Sequence, residues 1–95
     1  MLRFHWKDDA TLVVSGRMDT LTIPDLEDVL RSVDQSIVLD LSDVDYINSA
    51  GLGLLLGTHQ RLTSNGHSLT IANVTDYVRE LLQITGLDRM LSLKS

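Results

Sequence analysis

Ser49 is the side chain whose position offers the clearest chemistry in this chain of 95 residues. It follows a segment that opens with an apolar run at Ile37, and it precedes residues 50–63, whose apolar spacing is that of a helix. The hydroxyl should therefore lie where a strand passes into the first turn of a helix. Serine is well suited to accept a hydrogen bond from the backbone amides there, so the residues alone favour Ser49 as the N-cap.

The other residues that could do chemistry are not arranged for it. The histidines at positions 5, 59 and 67 fall on separate predicted elements, without a glutamate or cysteine at metal-ligand spacing. The glycines at 51, 53 and 57 lack the spacing of a dinucleotide fingerprint and the Gly-Lys-Ser/Thr ending of a P-loop. No Ser-His-Asp order with an oxyanion-hole motif can be traced. We expect no metal, no cofactor and no enzymatic activity, and we interpret His59 as a satisfied core histidine.

Residues 50–63 form a predicted helix with one side towards the core and the other outward. The side that we expect to face the core carries Leu52, Leu55, Leu56, His59, Leu62 and Thr63. The opposite side carries Ala50, Gly53, Leu54, Gly57 and Arg61. Each glycine inside a helix costs about 1 kcal/mol relative to alanine, so these two need a physical reason. Either they leave a flat face around Leu54 on which another protein docks, or they fit against a neighbouring element of the same domain.

Apolar periodicity predicts the elements that position Ser49. Strands are predicted at residues 2–7, 11–15, 37–41 and 69–72, with a short edge strand near 90–93. The first two should pair as a hairpin, and 37–41 should be buried on both faces and followed by a polar segment at 42–45. Further helices are predicted around 23–33, with Pro24 in the first turn, and between an N-cap at Thr75 and a terminating Gly86.

This order of elements indicates a single domain spanning residues 1–95. It belongs to the α/β class, with a mixed β-sheet of four to five strands packed against helices. A chain of this length supports one hydrophobic core and is too short for two. The strands before and after the central helix should be parallel and joined by a right-handed crossover.

Composition and charge argue against several classes of partner. The formal net charge is -5, and lysine and arginine are scattered singly, so a nucleic-acid site lacks its basic footprint. Membrane insertion is not expected, because no apolar run approaches the roughly 20 residues that a span needs. The chain contains no cysteine, and its first residues lack the apolar core of a signal peptide. We therefore expect a cytoplasmic protein.

Residues 46–56, Tyr-Ile-Asn-Ser-Ala-Gly-Leu-Gly-Leu-Leu-Leu, resemble the signature of the STAS domain, the family of bacterial anti-sigma factor antagonists. Residues 16–19, Gly-Arg-Met-Asp, are similar to the family's Gly-x-Leu-Asp, and residues 71–88 resemble its C-terminal third. The resemblance thus covers nearly the whole chain in order. It implies that Ser49 is a phosphorylatable serine, a role that is compatible with capping the helix.

The resemblance further implies a switch that works by binding. The unmodified Ser49 form would bind an anti-sigma factor that has serine kinase activity, phosphorylation at Ser49 would release it, and a serine phosphatase would reset the hydroxyl. No cofactor of its own is implied for the chain, and self-association is left open. The residues expected to contact the partner are Asp19, Asn48, Ser49, Ala50, Gly51, Gly53, Leu54 and Gly57.

Two of these residues have alternative roles. Asn48 stands where the family usually has a carboxylate, so it either slows or prevents phosphorylation or stabilises the bend from strand to helix. Asp19 either places a carboxylate near Ser49 or serves as a turn residue before the first helix. The change at Asn48 also keeps a second function open, that of a non-phosphorylated STAS subunit of a lipid-transport ATPase complex that docks through the same helix.

Overall fold

Strands and helices alternate along the chain after an initial hairpin in the computed structural model, which describes residues 1–94. The elements are β1 (Leu2–Asp8), β2 (Thr11–Met18), α1 (Ile23–Arg31), β3 (Ile37–Ile47), α2 (Ser49–Ser64), β4 (Leu69–Ala72), α3 (Asp76–Thr85), a short 3-10 helix (Leu87–Arg89) and β5 (Ser92–Lys94). The five strands form one mixed sheet, and together with the helices they confirm the predicted α/β class.

The sheet has the strand order β1-β2-β3-β4-β5. Strands β1 and β2 are antiparallel, and each later neighbour is parallel to the strand before it. The predicted parallel pair around the central helix, β3 with β4, is therefore confirmed. Each of the three parallel connections leads to the next strand on the same side of the sheet. Because such connections are right-handed, α1, α2 and α3 should cover the same face of the sheet.

Alternating burial along β3 shows which face the helices cover. Leu39 and Leu41 are fully buried, whereas Val38 and Asp40 between them are only half-buried. The prediction that this strand is buried on both faces is wrong, because its helices pack on one face and leave the other open. A half-exposed face also accepts polar residues, and the polar segment at 42–45 therefore led to a prediction that ended the strand too early.

Strands β2 and β3 are both longer than predicted. Residues 42–45 continue β3 rather than breaking it, and Val44 among them is fully buried. Strand β2 continues through Gly16, whose φ of +100° and whose closeness to the Met1 carbonyl exclude a side chain. The two strands remain paired as far as Met18 and Ile47, so both end at one edge of the sheet.

Helix α1 begins at its predicted signal, and helix α3 both begins and ends at its predicted signals. Pro24 lies in the first turn of α1, and Leu26 and Leu30 are buried against the sheet. The Thr75 hydroxyl accepts a hydrogen bond from the Val78 amide at 3.3 Å and caps α3. Gly86 ends that helix in the left-handed conformation, with φ of +78°.

The core side of α2 is rotated from the predicted one. Its buried residues are Gly51, Leu52, Leu55, Thr58 and Leu62. Leu56 and His59, which we expected in the core, are half-buried, and Thr63 is exposed. The rotation arises because α1 lies beside α2 and covers Thr58. The His59 Nδ1 is buried without a hydrogen-bond partner among residues 1–94, so this histidine is not a satisfied core residue.

Candidate functional site

The carboxyl ends of β2 and β3 bring the two short motifs together. Met18 pairs with Ile47, and the Asn48 amide donates a hydrogen bond to the Met18 carbonyl at 3.1 Å. Asp19, which follows β2, and Ser49, which begins α2 after Asn48, therefore lie at the same end of the two neighbouring strands. The sequence could suggest this neighbourhood only if β2 and β3 were adjacent, and the structure shows that they are.

Asn48, not Ser49, is the N-cap of α2. The Asn48 Oδ1 accepts hydrogen bonds from the amides of Ala50 at 3.0 Å and Gly51 at 3.2 Å. Asn48 has extended backbone angles, and Ser49 is the first residue inside the helix. Asparagine and serine are comparable caps, so the point at which β3 ends decides between them. The prediction that Ser49 caps the helix is wrong, whereas the bend-stabilising role of Asn48 is confirmed.

Ser49 is exposed at the start of α2. Asn48 holds the amides of Ala50 and Gly51 and so caps the helix in place of Ser49, whose hydroxyl is not needed as the cap. The first turn of the helix contains no acidic residue. Ser49 is thus an exposed serine with no acidic residue in its own helical turn.

Asp19 organises the loop between β2 and α1. Its Oδ1 accepts hydrogen bonds from the amides of Leu21 and Thr22, each at 3.0 Å, and its Oδ2 lies 3.5 Å from the Arg17 Nε. Partial desolvation raises the pKa of Asp19, but these hydrogen bonds together outweigh it and hold the pKa below its ordinary value. The predicted turn role is confirmed, and no hydrogen bond within residues 1–94 joins Asp19 to Ser49.

Gly51 seats the first turn of α2 on the ends of the two strands. A Cβ at this position would lie 2.7 Å from the Ile47 Cγ1 and 2.9 Å from the Met18 carbonyl oxygen. Gly51 is also buried, so it has no surface to offer to a partner. Its predicted place among the partner contacts is therefore corrected to a packing role that sets the position of Ser49.

A groove of about 370 Å³ runs between α1 and α2. Gly53 and Gly57 line it, are exposed, and have no atom of another element within 4 Å of an added Cβ. The alternative that these glycines fit against a neighbouring element is therefore wrong. Ala50 and Leu54 also line the groove, and Leu54 packs its inner side against the core. For the partner contact proposed below, we call Ser49, Ala50, Gly53, Leu54 and Gly57 the docking surface.

Arg61 joins the two helices at one end of the groove. Its Nη1 donates to the Val33 carbonyl at 3.0 Å and its Nη2 to the Leu30 carbonyl at 2.5 Å. These carbonyls lie at the C-terminus of α1, where a cation is favoured by the helix dipole. The sequence pattern placed Arg61 on the outer side of α2 but did not indicate this bridge, which fixes the spacing of the groove walls.

Several surface residues near the site were not predicted. Leu21, in the loop that Asp19 organises, is 90% exposed. The sequence signal that could have indicated this exposed side chain is an apolar residue within a polar turn. The Arg17 guanidinium lies 4.1 Å from the centroid of the Tyr46 ring, which stacks on Tyr77 of α3 with a centroid distance of 6.2 Å. This stack depends on the pairing of Arg17 with Tyr46, which the sequence does not specify.

Comparison with known families gives a match over residues 2–92, to the family described as "Mlab, STAS domain". The chain belongs to the STAS domain family. An anti-sigma-B factor antagonist of Staphylococcus aureus (strain NCTC 8325 / PS 47) is 41% identical to this STAS domain over 78 residues, which are 78% of this chain and 72% of the relative. The resemblance drawn from the sequence motifs is confirmed.

Solved structures share the fold of this STAS domain. An anti-sigma factor antagonist from Mycobacterium paratuberculosis is similar with a TM-score of 0.83 and 28% identity, covering 98% of this chain and 85% of the other. The Bacillus cell fate determinant SpoIIAA in its phosphorylated form has a TM-score of 0.68 and 16% identity, covering 100% and 92%. At that identity, the second comparison shows the fold alone.

Two searches of the STAS domain bear on other kinds of site. No helix within residues 1–94 combines the length and the apolar character needed to cross a membrane. Across the same described part of the chain, no group of three or more histidine, aspartate or glutamate side chains is placed to hold a metal ion.

Proposed function

We propose that this STAS domain is an anti-sigma factor antagonist controlled by phosphorylation of Ser49. The observation that carries the proposal is the exposed Ser49 hydroxyl at the start of α2, next to a groove whose glycines contact no other element. The 41% identical relative, which is named an anti-sigma-B factor antagonist, supports the assignment. The unmodified form binds an anti-sigma factor through the docking surface, and the phosphorylated form is released.

The docking surface suits this role because its own residues are small or apolar and carry no charge, while the charged side chains of Glu27, Arg31 and Arg61 line other parts of the groove. Gly53 and Gly57 allow the backbone of a partner to come close to α2, and Leu54 offers the apolar contact between them. A phosphoryl group on Ser49 adds about -1.5 to -2 charges at neutral pH. Burying that charge in an uncharged contact needs to cost only about 3 kcal/mol to weaken binding by more than a hundredfold.

The partner supplies the chemistry of the switch. We propose that the anti-sigma factor is also a serine kinase that uses ATP. The Ser49 oxygen forms a bond to the γ-phosphorus, the bond to the β-phosphate breaks, ADP leaves, and the hydroxyl proton passes to a base of the kinase. A serine phosphatase later hydrolyses the phosphoserine. The STAS domain itself provides the acceptor and the binding surface without catalysing either step, and it works in the cytoplasm, where the kinase has ATP.

The lipid-transport alternative is not favoured. That reading depended on Asn48 standing in place of a carboxylate, and Asn48 has a sufficient structural reason as the cap of α2. The relative that is 41% identical is an antagonist, which supports the regulatory reading.

Affinity capture with three forms of the protein tests the proposal. Wild type and Ser49→Ala should retain the same anti-sigma factor from a lysate of the source bacterium, and Ser49→Asp should not. Incubation of wild type with the captured partner and ATP should add one phosphoryl group by intact mass, and Ser49→Ala should gain none. Equal capture by wild type and Ser49→Asp, or the same mass gain in Ser49→Ala, would contradict the proposal.

A further inference from the structure

The sheet face opposite the helices carries its positive and negative charges on different strands. Edge strand β1 holds three exposed residues there, which we call the basic strip: Arg3, His5 and Lys7. The middle strand β3 holds two, which we call the acidic strip: the half-buried Asp40 and the exposed Asp43. Strand β2 lies between the strips and shows this face only half-buried residues without charge, Thr11, Val13 and Ser15.

The strand register aligns the two strips row by row. Arg3 pairs with Ser15 of β2, and Ser15 pairs with Asp43 of β3. The next row is built in the same way, from His5, Val13 and Asp40. Neighbouring strands are about 4.8 Å apart, so opposite charges in one row are about 10 Å apart along the sheet. Within residues 1–94, neither Arg3 nor Asp43 takes part in an ion pair.

We propose that two copies of this chain associate through these open sheet faces, related by a twofold axis that runs along β2. The rotation carries β1 of one copy over β3 of the other and keeps each row at the same height along the strands. Arg3 of each copy then lies over Asp43 of the other, so the contact is made twice, as an isologous interface requires. Packed sheets lie about 10 Å apart with their strands within about 30° of each other, which keeps the rows nearly aligned close to the axis.

The charge pattern selects this arrangement over two others. A twofold axis across the strands would place each basic strip over its own copy and each acidic strip over its own copy. Extension of the sheet by pairing β1 with its own copy would bring two basic strips side by side, and like charges on facing strands are destabilising. Only the axis along β2 brings unlike charges together in every row.

The other charged groups near this face are compatible with the dimer. Arg17, close to the axis at the end of β2, is already paired with Asp19 at 3.5 Å. Asp8 accepts a hydrogen bond at 2.9 Å from the backbone of its own hairpin turn. Lys94 lies on β5, outside the three strands that overlap. Asp45 is exposed farther along β3 and adds to the negative charge of that strand.

The dimer should be weak and sensitive to salt. Only three strands of each sheet overlap, and interfaces that bury less than about 1,200 Å² belong to transient complexes. We therefore expect a dissociation constant of roughly 10–500 μM at low salt, and weaker association as salt screens the exposed ion pairs. The docking surface lies in the helix layer on the other side of the sheet, so both copies keep it free.

Sedimentation equilibrium of the purified full-length protein, up to about 1 mM and at low salt, tests this proposal. Arg3→Glu and Asp43→Arg should each weaken the dimer by at least about tenfold, because each places like charges together at two symmetric contacts. An equimolar mixture of the two variants should dimerise like wild type, because every contact between the different chains again joins unlike charges. The matched control is Arg89→Glu, which makes the same change in net charge at an exposed residue of the 3-10 helix and should leave the dimer unchanged.

Four results would overturn the proposal. They are a wild-type protein that stays monomeric over this range, an equal loss of dimer in Arg89→Glu, no loss in Arg3→Glu or Asp43→Arg, and no recovery in their mixture. Thermal denaturation of each variant at a low concentration, where the protein is monomeric, shows that the fold is intact. Because no anti-sigma factor and no phosphate take part, these results are independent of the proposed function.

Discussion

Replacing the two exposed glycines of α2 with alanine should make the protein more stable. A Cβ at Gly53 or Gly57 meets no atom of another element within 4 Å in residues 1–94, so a methyl group fits without strain. Each change should add about 1 kcal/mol to the free energy of unfolding, because alanine is the better helix former. For a domain of this size, each kcal/mol raises the melting temperature by roughly 4–8 °C, which thermal and urea denaturation can measure.

The same substitutions should weaken binding to the anti-sigma factor. A pair of methyl groups on the docking surface holds the partner away from the helix backbone, and a loss of about 1.4 kcal/mol gives a tenfold weaker complex. Thr63→Ala is a matched control, since Thr63 is exposed on α2 outside the docking surface and should gain stability without losing affinity. Gly51→Ala should instead destabilise the protein, because its Cβ meets Ile47 and Met18 at less than 3 Å.

Two outcomes would refute this reasoning. Destabilisation by Gly53→Ala or Gly57→Ala would show that the outward placement of these residues is wrong. Higher stability with unchanged affinity for the anti-sigma factor would show that the groove beside α2 is not where the partner docks. Isothermal titration calorimetry on the same protein samples distinguishes the second outcome from the expected one.

Two further predictions concern stability. Arg61→Ala should lower the free energy of unfolding in urea by about 2 kcal/mol, because the carbonyls at the end of α1 lose charge-assisted hydrogen bonds. Asp40→Asn should destabilise the protein near neutral pH. Partial burial raises the pKa of Asp40, but the hydrogen bonds from Ser42 and Asn73 lower it by more than burial raises it. The net pKa of Asp40 is therefore below the ordinary 3.8. The ionised carboxylate thus stabilises the fold above pH 3.8, and this contribution is lost as the pH falls through its folded-state pKa.

Each of these predictions has a control and a contrary result. Gln60→Ala changes an exposed residue next to Arg61 and should leave stability nearly unchanged, whereas an equal loss from both variants would remove the special role of Arg61. For Asp40, the difference in unfolding free energy between wild type and Asp40→Asn should shrink as the pH falls below 3.8. A difference that stayed constant from pH 7 to pH 2 would contradict the assigned pKa direction.

The order and type of the elements could be predicted because local signals were strong. Pro24, Thr75 and Gly86 each act within one turn of a helix, and the structure places all three as expected. The choice between Asn48 and Ser49 as cap could not be made, because it depends on where pairing with β2 ends the strand. That point is set by the contact of Asn48 with Met18, which is distant in sequence.

The tertiary arrangement explains the other differences. Thr58 is buried because α1 lies beside α2, and helical spacing alone cannot show which side a neighbouring helix covers. The sequence predicts a shorter and fully buried β3, because the polar residues of this strand lie on a face that the helices leave open. Helical spacing predicts that Gly53 and Gly57 point away from the core, but only the structure shows that no neighbouring element covers them.

The central claim is that a charge on Ser49 abolishes a contact that the unmodified surface makes. The most direct test is the affinity of the captured anti-sigma factor for the unmodified protein and for the protein with phosphoserine at position 49, measured by calorimetry under the same conditions. Phosphorylation should weaken binding by at least roughly a hundredfold. Affinities that agree within about threefold, a difference of less than 1 kcal/mol, would contradict it.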